Sequence, residues 1–372
     1  MGALRVRRGT RVNVFLLTET ESGCYKWRGA IPAKYLSRRG HAVQIFSGDP
    51  TAHEAPDVMM FFRAHFVEAI RMVEFCKRNN IRVVFDTDDA LDLVPRENLN
   101  YAALQGRLPV YDYMLRASDV VTTTTETLAE YLRGWNRNVV VLPNSVDPEE
   151  WEQQSRRAGT RVGWTGSATH FEDLAIVLDA VREVQKKHAF TFVLQGICTD
   201  PTLEEFSEIL SVRWSKAQWG TPLGKAIRRF LDKVSEIRYE FHPNVPVREH
   251  ARKVCELALD IGIAPLNDDR FNHHKSCIKY YEYAMSGAVT VASHVVPYST
   301  EVPITAKNRR DSWKEKLEYA LTADRPALLK AQRDWVLTHR NMEKNVELWE
   351  RVLGGETVPP SSRAQELQDV SI

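Results

Sequence analysis

Short apolar runs alternate with longer helical stretches along this sequence, and that alternation restricts the fold more than any other feature. In residues 1–150, helices are predicted over 28–38, 66–79 and 125–133. Runs that stay apolar on both faces are typical of parallel strands covered by helices on both sides. The pattern therefore predicts a doubly wound α/β domain. Its predicted strands cover residues 12–17, 42–46, 58–62, 82–85, 120–123 and 139–142.

A second region of the same kind follows a polar segment. Residues 147–160 carry Pro148 and Gly159 and are interpreted as a domain linker. The alternation then restarts, which predicts a second α/β domain. Its predicted strands cover 161–164, 191–195, 237–241, 259–264 and 289–292, and its predicted helices cover 171–187, 247–257 and 278–286.

The length of 372 residues fits two such domains. We expect two Rossmann-like, doubly wound parallel-sheet domains that face each other across a cleft, at 1–150 and 158–335. A helix near 340–353 is expected to join the first domain, and 354–372 is expected to be a flexible tail. Ligands of such sheets bind at the carboxyl ends of the strands, so the cleft is the expected functional site.

Composition narrows the class of protein further. Lys and Arg total 50 and Asp and Glu total 49, and a formal net charge of +1 gives no overall attraction to nucleic acid or membrane. The five cysteines are scattered without a Cys-x-x-Cys spacing, so neither a disulfide framework nor a zinc knuckle is expected. No apolar run reaches the roughly 20 residues of a membrane span or the roughly 7–15 of a signal-peptide core. We therefore expect a cytoplasmic protein without a transmembrane segment.

Residues 260–293 carry the strongest functional signal. An apolar strand and a polar loop rich in Asn, Asp and His lead into a predicted helix that starts near Ser276. Lys275 and Ser276 stand at the helix start, where free backbone amides and the positive end of the helix dipole favour a phosphate. Lys279 follows one turn later, and Glu282 lies near the reach of a ribose attached to that phosphate. The alternative is a capped helix with solvated charges.

A second candidate phosphate site opens the second domain. A predicted strand ends at Trp164, and Thr165, Gly166 and Ser167 form a turn of small residues. Glycine permits close backbone approach to a diphosphate, and the hydroxyls of Ser167 and Thr169 can donate to it. Many turns between a strand and a helix look like this, so an ordinary turn is the alternative.

Together the two stretches resemble the retaining, nucleotide-sugar-dependent glycosyltransferases of family 4, which have the GT-B fold of two Rossmann-like domains. The segment EYAMSGAVTVAS is similar to the family pattern Glu-x-Ala-x-x-Gly-x-Pro-Val-Val-Ala-Ser. RVNVFLL, LSRRGHAVQIF and VVTTTTETLAEYL in the first domain also fit, and the resemblance covers nearly the whole chain. It implies transfer of a sugar from a nucleoside-diphosphate sugar to a hydroxyl acceptor, with UDP-sugar as the commonest donor.

The resemblance also implies roles for single residues. Glu282 falls on the second glutamate of a family motif in which seven residues separate two glutamates, and this implies hydrogen bonds to both ribose hydroxyls. The position of the first glutamate is His274 in this sequence. Since the first glutamate of the family touches the sugar ring, His274 or Lys275 is expected to substitute for it.

The family's basic pair for the diphosphate is not matched either, and Trp164 and His170 stand roughly at its place. Lys275, with the amides of Gly166 and Ser167, is the expected replacement anchor. The expected donor-binding residues are Gly23, Gly166, Ser167, Thr169, His274, Ser276, Cys277, Lys279 and Glu282, and the expected catalytic residues are Lys275, Asp88 and His170.

In retaining enzymes of this type the leaving diphosphate is thought to take the acceptor proton on the same face of the sugar. The protein then needs cationic and amide groups on the diphosphate more than a pair of catalytic carboxylates. The resemblance implies no tightly bound cofactor and no divalent metal, with the nucleotide sugar acting as co-substrate.

The sequence FDTDDALDLVP offers a competing signal. Asp86-x-Asp88 after an apolar strand has the spacing of the Asp-x-Asp metal motif found in the other, GT-A, glycosyltransferase fold, and carboxylate oxygens bind Mg²⁺ or Mn²⁺. The two-domain organisation favours GT-B, so Asp88 and Asp89 are expected at a strand end facing the cleft, near the sugar or the acceptor. Capping of a helix by one of them is the alternative.

The loop from Gly23 to Arg28 is the expected acceptor side of the cleft. Gly23 allows close approach to the donor diphosphate or the acceptor, and Tyr25 and Arg28 are candidates for holding the acceptor. The alternative is a loop that starts a helix and carries a solvated base.

Residues 211–234 look like an insertion. They carry six basic residues against one acid, and also Trp214 and Trp219. Arg228 and Arg229 are expected to bind an anionic acceptor, because added loops commonly carry specificity. The alternatives are an amphipathic helix packed on the domain and a dimer contact.

Rival functions remain open at this stage. A glycosyltransferase acting on hydroxylated DNA bases, a GT-B-like epimerase, and a non-catalytic nucleic-acid-binding protein that stacks bases on Trp214 and Trp219 all fit the same residues. Nucleic acid is a possible partner but not the favoured one.

Overall fold

The structure is a computed structural model that describes residues 11–18, 22–47, 55–151, 157–197 and 220–356. Within these residues the chain forms two six-stranded sheets in which every paired strand is parallel. This confirms the predicted fold class.

The first sheet has six strands, which are β1 Asn13–Leu17, β2 Ala42–Phe46, β3 Val58–Phe62, β4 Arg82–Asp86, β5 Val120–Thr123 and β6 Val139–Val141. Their spatial order is β2-β1-β3-β4-β5-β6. All five residues of β3 are buried, as expected for a strand that is covered on both faces.

The second sheet also has six strands, which are β7 Arg161–Thr165, β8 Thr191–Gln195, β9 Tyr239–His242, β10 Ile261–Ala264, β11 Val289–Ser293 and β12 Thr305–Ala306. Their spatial order is β12-β11-β10-β7-β8-β9. The neighbours β7 and β10 occupy the middle of this sheet, so their carboxyl ends open near its centre, where ligands of such sheets bind.

Helices cover the faces of both sheets. In the first domain they are Gly23–Tyr25, the π-helical Lys26–Ala30, Ile31–Arg38, Glu68–Arg78, Tyr101–Gln105, Leu108–Ala117 and Glu126–Leu132. The later helices are Phe171–Ala175, Leu178–Gln185, Pro222–Val234, His250–Leu257, Ile278–Ser286, Tyr298–Glu301, Arg310–Thr322, Arg325–His339 and Met342–Leu353. Short 3-10 turns occupy Leu91–Leu93, Pro148–Glu150, Ala168–His170, Val247–Glu249 and Asn272–His274.

Local chemistry explains where these helices lie. The predicted helix at 28–38 begins earlier, because the Ser22 hydroxyl accepts a hydrogen bond from the Tyr25 amide and caps the helix start at Gly23. The helix Glu68–Arg78 buries Ala69, Val73 and Cys76, which helical spacing places on one face.

The last helix, Met342–Leu353, returns to the first sheet. Val146 and Asn341 form a parallel bridge where the chain crosses back. The helix then packs on Ile31–Arg38, and Trp349 lies under the Arg28 guanidinium at 4.9 Å from the ring centre. The exact domain limits stay a prediction, and so does the tail beyond Glu356, which lies outside the described residues.

In the parts of the chain that the structure describes, no helix has the length and apolar character that crossing a bilayer requires.

Candidate active site

A cavity of about 510 Å³ lies in the cleft between the two sheets. Turns that follow strands of both sheets contribute to it, together with the start of the helix Ile278–Ser286. The predicted site residues that line it are Gly23, Asp88, Asp89, Gly166, Ser167, Thr169, His170, Lys275, Ser276, Lys279 and Glu282. Segments that are far apart in the sequence therefore meet at one place.

The turn after β7 forms one part of the wall. A Cβ atom on Gly166 would lie 2.6 Å from the Trp164 ring and 2.8 Å from Lys279 Nζ, so no side chain fits there. The hydroxyls of Ser167 and Thr169 are 2.8 Å apart and share one hydrogen bond, which leaves one of the two protons for a ligand. Gly166 is therefore needed for two reasons. The neighbouring side chains leave no space for a Cβ atom, and a side chain would fill the open turn.

Lys279 is fixed against this turn. Its Nζ donates to the Thr165 carbonyl at 2.8 Å and lies 5.1 Å from the centre of the Trp164 ring. Burial lowers the pKa of Lys279, and the nearby Glu282 carboxylate opposes that effect. The ammonium is therefore held at the strand end, beside the turn.

Glu282 is a buried carboxylate, only 5% exposed. Its Oε1 lies 3.1 Å from His250 Nε2. Burial raises the pKa of Glu282, but His250 and Lys279 more than offset it, so the pKa lies below its ordinary value. Glu282 is therefore an ionised hydrogen-bond acceptor in the cavity wall at neutral pH.

His170 is electrically neutral in this site. Burial and the nearby Lys275 charge lower its pKa to about 4, although a hydrogen bond between Nδ1 and Asp173 at 2.9 Å opposes the shift. Since Nδ1 faces a carboxylate, the proton belongs on Nδ1, and Nε2 is left as an acceptor. His170 therefore cannot supply the positive charge that the family's basic pair would bring to a diphosphate.

Asp173 was not singled out by the sequence, although it organises the polar loop after β10. Its Oδ1 accepts hydrogen bonds from the Asn267 amide at 2.8 Å and from Asn267 Nδ2 at 3.0 Å, while Oδ2 faces His170. Burial raises the pKa of Asp173, but His170 and other donors outweigh that effect and lower it. The one feature of the sequence that could have indicated this role is the i,i+3 spacing of His170 and Asp173, which places both on one side of a helical turn.

The opposite wall belongs to the first domain and contains an ion-pair cluster. Arg63 Nε lies 2.8 Å from Asp88 Oδ1, Arg63 NH2 contacts Asp89, and Arg63 NH1 lies 3.2 Å from Cys24 Sγ. Arg63 has a φ of 48°, an uncommon conformation for a residue with a side chain. Neither aspartate caps the 3-10 turn Leu91–Leu93, whose N-cap is Ala90 without a side-chain hydrogen bond.

The predicted contact between Arg28 and the acceptor is wrong, because Arg28 pairs with Asp86 inside the first domain. Arg28 has no exposed surface, and it donates to both oxygens of the buried Asp86 at 3.0 and 2.6 Å. It also donates to the Leu142 carbonyl at 2.5 Å and to Asn144 Oδ1 at 3.2 Å. A buried carboxylate needs a counter-charge, and Arg28 supplies it. Neither side chain lines the cavity.

Three further predicted site residues do not line the cavity. Tyr25 packs against Gly29, whose added Cβ would lie 2.9 Å from the Tyr25 ring. The Cys277 thiol is fully buried, and burial raises its pKa well above the ordinary value. His274 packs against the Tyr131 ring of the first domain at 4.9 Å, and its carbonyl accepts from Thr125 Oγ1 at 3.3 Å. It is a contact between the domains, which does not support the predicted sugar contact.

Arg228 and Arg229 also lie outside the cavity lining. They belong to the helix Pro222–Val234, which buries Phe230 against Phe171, and Arg229 pairs with Glu172 at 2.9 Å. Residues 211–219, with Trp214 and Trp219, lie outside the described residues. An acceptor role for this segment stays a prediction.

In the described ranges, the structure has no group of three or more His, Cys, Asp or Glu side chains that could hold a metal ion. Metal independence of the reaction stays a prediction.

The parallel sheets and the cavity between them define a two-domain, doubly wound α/β protein. Its sequence matches no protein-family model and no curated protein. Solved structures do match. An alpha-glucosyltransferase in complex with UDP and a 13-mer DNA containing an HMU base has a TM-score of 0.62 and 12% identity, over 92% of this chain and 100% of that chain.

Two other solved structures are similar to this chain over most of its length. A structure described as trehalose-6-phosphate from E. coli bound with UDP-2-fluoro glucose has a TM-score of 0.60 and 11% identity, over 94% of this chain and 100% of that chain. S. aureus TarM in complex with Fondaparinux, alpha-GlcNAc-glycerol and UDP has a TM-score of 0.54 and 11% identity, over 80% of this chain and 55% of that chain. The chain has the GT-B fold.

Proposed function

We propose that this protein is a glycosyltransferase that moves a sugar from a nucleoside-diphosphate sugar to a hydroxyl acceptor. One observation carries the proposal: residues 275–282, which lead into the helix Ile278–Ser286, bring Lys275, Lys279 and Glu282 into one wall of the interdomain cavity, beside the turn after β7. Two cations beside a buried, ionised carboxylate suit a ligand that has a diphosphate and a ribose. The resemblance to family 4 adds retention of configuration.

The donor is proposed to bind along this wall. Glu282 would accept hydrogen bonds from the two ribose hydroxyls, because it is ionised and buried next to the cavity. Lys275, Lys279 and the turn at Gly166 would hold the diphosphate. Uridine is the proposed base, since the similar structures are described with UDP or a UDP sugar.

The chemical step is proposed to run on one face of the sugar. The bond from the anomeric carbon to the diphosphate oxygen breaks, the bond to the acceptor oxygen forms, and the acceptor proton passes to the leaving diphosphate. Lys275 would stabilise the negative charge that grows on the diphosphate. His170, neutral and with Nε2 as an acceptor, would receive a hydrogen bond from a sugar hydroxyl.

The acceptor is proposed to lie against the first domain. Asp88 and Asp89 are carboxylates in that wall and can accept hydrogen bonds from an acceptor hydroxyl. Hydroxylated DNA bases are kept as a second acceptor class, because one similar structure contains DNA with an HMU base. A cytoplasmic location is part of the same proposal.

The first test is nucleotide binding. UDP, GDP, ADP and CDP are compared by thermal shift on wild-type protein and on Glu282→Ala, with Glu256→Ala as a surface control that lies outside the cavity lining. At 100 times Kd a ligand adds about 2.7 kcal/mol to the free energy of unfolding. We expect UDP to stabilise wild type and the control, and Glu282→Ala to need about 10²-fold more UDP, since charged hydrogen bonds are worth roughly 1.5–3 kcal/mol each.

The second test is transfer. Release of UDP from UDP-glucose is measured with and without acceptors, including neutral glycans and DNA with hydroxylated bases. Acceptor-dependent release supports the proposal. In the binding test, two results would contradict the proposed function. Either wild type binds no nucleoside diphosphate, or wild type and Glu282→Ala bind UDP equally.

A further inference from the structure

A buried chain of hydrogen bonds runs from the core of the first domain to the cavity. Asp86 accepts from Arg28, Arg28 NH1 donates to Asn144 Oδ1 at 3.2 Å, and Asn144 Nδ2 donates to Ser276 Oγ at 2.8 Å. Asn144 is 2% exposed, and Ser276 lines the cavity beside Lys275.

The chemistry of the guanidinium fixes the direction of this chain. Arginine has donors only, so the Asn144 oxygen must face Arg28, and the Asn144 amide nitrogen must face Ser276. Arg28 cannot turn away, because Asp86 and the Leu142 carbonyl hold it on one side and the Trp349 ring lies against it.

The result is a serine hydroxyl with one free direction. Ser276 Oγ uses a lone pair for Asn144, so its own proton is left to donate elsewhere. Within the described ranges, the structure has no protein acceptor in hydrogen-bond contact with this hydroxyl. A donor that lies at the cavity wall beside Lys275 suits an anionic oxygen.

We infer that Asn144 is a positioning residue that directs the Ser276 hydroxyl at the diphosphate of the bound nucleotide. The inference rests on the proposed function, because it needs a diphosphate in this cavity. It also crosses the cleft: Asn144 follows β6 of the first sheet, whereas Ser276 precedes a helix of the second domain. The Ser276 hydroxyl is therefore oriented for the diphosphate only while the two domains are in contact.

The test compares UDP with uridine, which lacks the phosphates. Kd values are measured for wild type, Asn144→Ala, Ser276→Ala and the double variant, by calorimetry for UDP and by ligand-observed NMR for uridine. Loss of a hydrogen bond to a charged group predicts about a 10- to 100-fold weaker UDP Kd in each single variant. Uridine affinity should stay at the wild-type value, and the double variant should be no weaker for UDP than Ser276→Ala.

Asn345→Ala is the matched control. Asn345 Nδ2 also donates to a serine hydroxyl at 2.8 Å, but that serine is Ser145, which does not line the cavity. We expect wild-type UDP affinity for this variant. Unfolding curves for all variants show whether an effect comes from lost stability instead.

The measurements distinguish failure of the proposed function from failure of the inference about Asn144. Wild-type protein that binds no UDP overturns the proposed function and this inference together. Wild type that binds UDP, with Asn144→Ala equal to it, overturns the inference alone. Parallel losses of UDP and uridine, or additive effects in the double variant, also overturn it, because they show that Asn144 only shapes the site.

Discussion

Lys275 and Lys279 stand four residues apart, yet the structure gives them different surroundings. Lys279 donates to the Thr165 carbonyl, so its position is fixed by the protein. Lys275 lies 4.6 Å from the centre of the Phe271 ring, and in the described part of the chain it has no salt-bridge partner within 4.0 Å. A cation without a carboxylate beside it is the better group to meet a charge that develops during a reaction.

We therefore expect Lys275→Ala to lower kcat more than it raises the KM for UDP-sugar. Charge on the leaving oxygen grows in the transition state, so the loss falls on that state, by about 10²–10³-fold. Steady-state kinetics check this, with the surface variant Lys187→Ala as control. Activity should survive EDTA. A pure KM effect would make Lys275 a simple binding group, and a strict need for Mn²⁺ would contradict the metal-free proposal.

His170 gives a prediction about pH. Its pKa in the folded protein is about 4, below the roughly 6.5 of an unfolded histidine. Between these values the unfolded chain binds the extra proton, so the free energy of unfolding falls as the pH drops below about 6.5. The variant His170→Gln should lose stability less steeply between pH 6.5 and 5. Thermal melts over that range check it, and identical slopes would show that His170 does not contribute.

At the scale of elements, buried apolar side chains hold the helix Pro222–Val234 against the second domain. Ile227 and Phe230 are fully buried, and Phe230 contacts Phe171 at 6.0 Å between ring centres. Phe230→Ala should lower the free energy of unfolding by about 3–5 kcal/mol, because it leaves a cavity. Chemical denaturation measures this, and Leu231→Ala, which is only partly buried, should cost less.

The acceptor prediction for the same helix needs its own measurement. Reversing Arg228 and Arg229 should lower transfer while UDP binding stays level, if this helix holds the acceptor. Since Arg229 already pairs with Glu172, the reversal also places two carboxylates together, and stability has to be followed in parallel. Unchanged transfer would leave the helix as packing.

The elements that depend on the local order of apolar and polar residues were predictable from the sequence. The apolar runs predicted eleven of the twelve strands in the described residues to within two residues at each end, and they missed only the short β12. The spacing from Lys275 to Glu282 predicted that both residues lie at the cavity wall. Arg28 and Arg63 were not predictable, because their roles depend on carboxylates that are distant in the sequence. A basic residue after an apolar run looks the same whether it is buried in an ion pair or faces a ligand.

At the scale of the whole molecule, one hydrophobic core extends over both domains. It includes Trp27 and Ile31 of the first domain, Tyr281 of the second, and Trp349 of the last helix. Trp27 and Tyr281 contact each other with ring centres 6.4 Å apart. The two sheets are therefore joined by apolar contacts as well as by chain connections.

This shared core predicts cooperative unfolding. Domains joined through a polar interface are free to unfold separately, whereas removing one half here exposes the core of the other. Calorimetry should show a single thermal transition, with equal calorimetric and van't Hoff enthalpies. Two resolved transitions would contradict it.

The helix Met342–Leu353 matters for anyone who builds hybrid enzymes from this scaffold. Because it packs on Ile31–Arg38, a hybrid cut once between the sheets would pair the first half with a foreign last helix. Trp349 and its contact with Arg28 would be lost in such a hybrid. Exchange of donor specificity by recombination therefore requires two crossover points, so that the last helix is inherited together with the amino-terminal half.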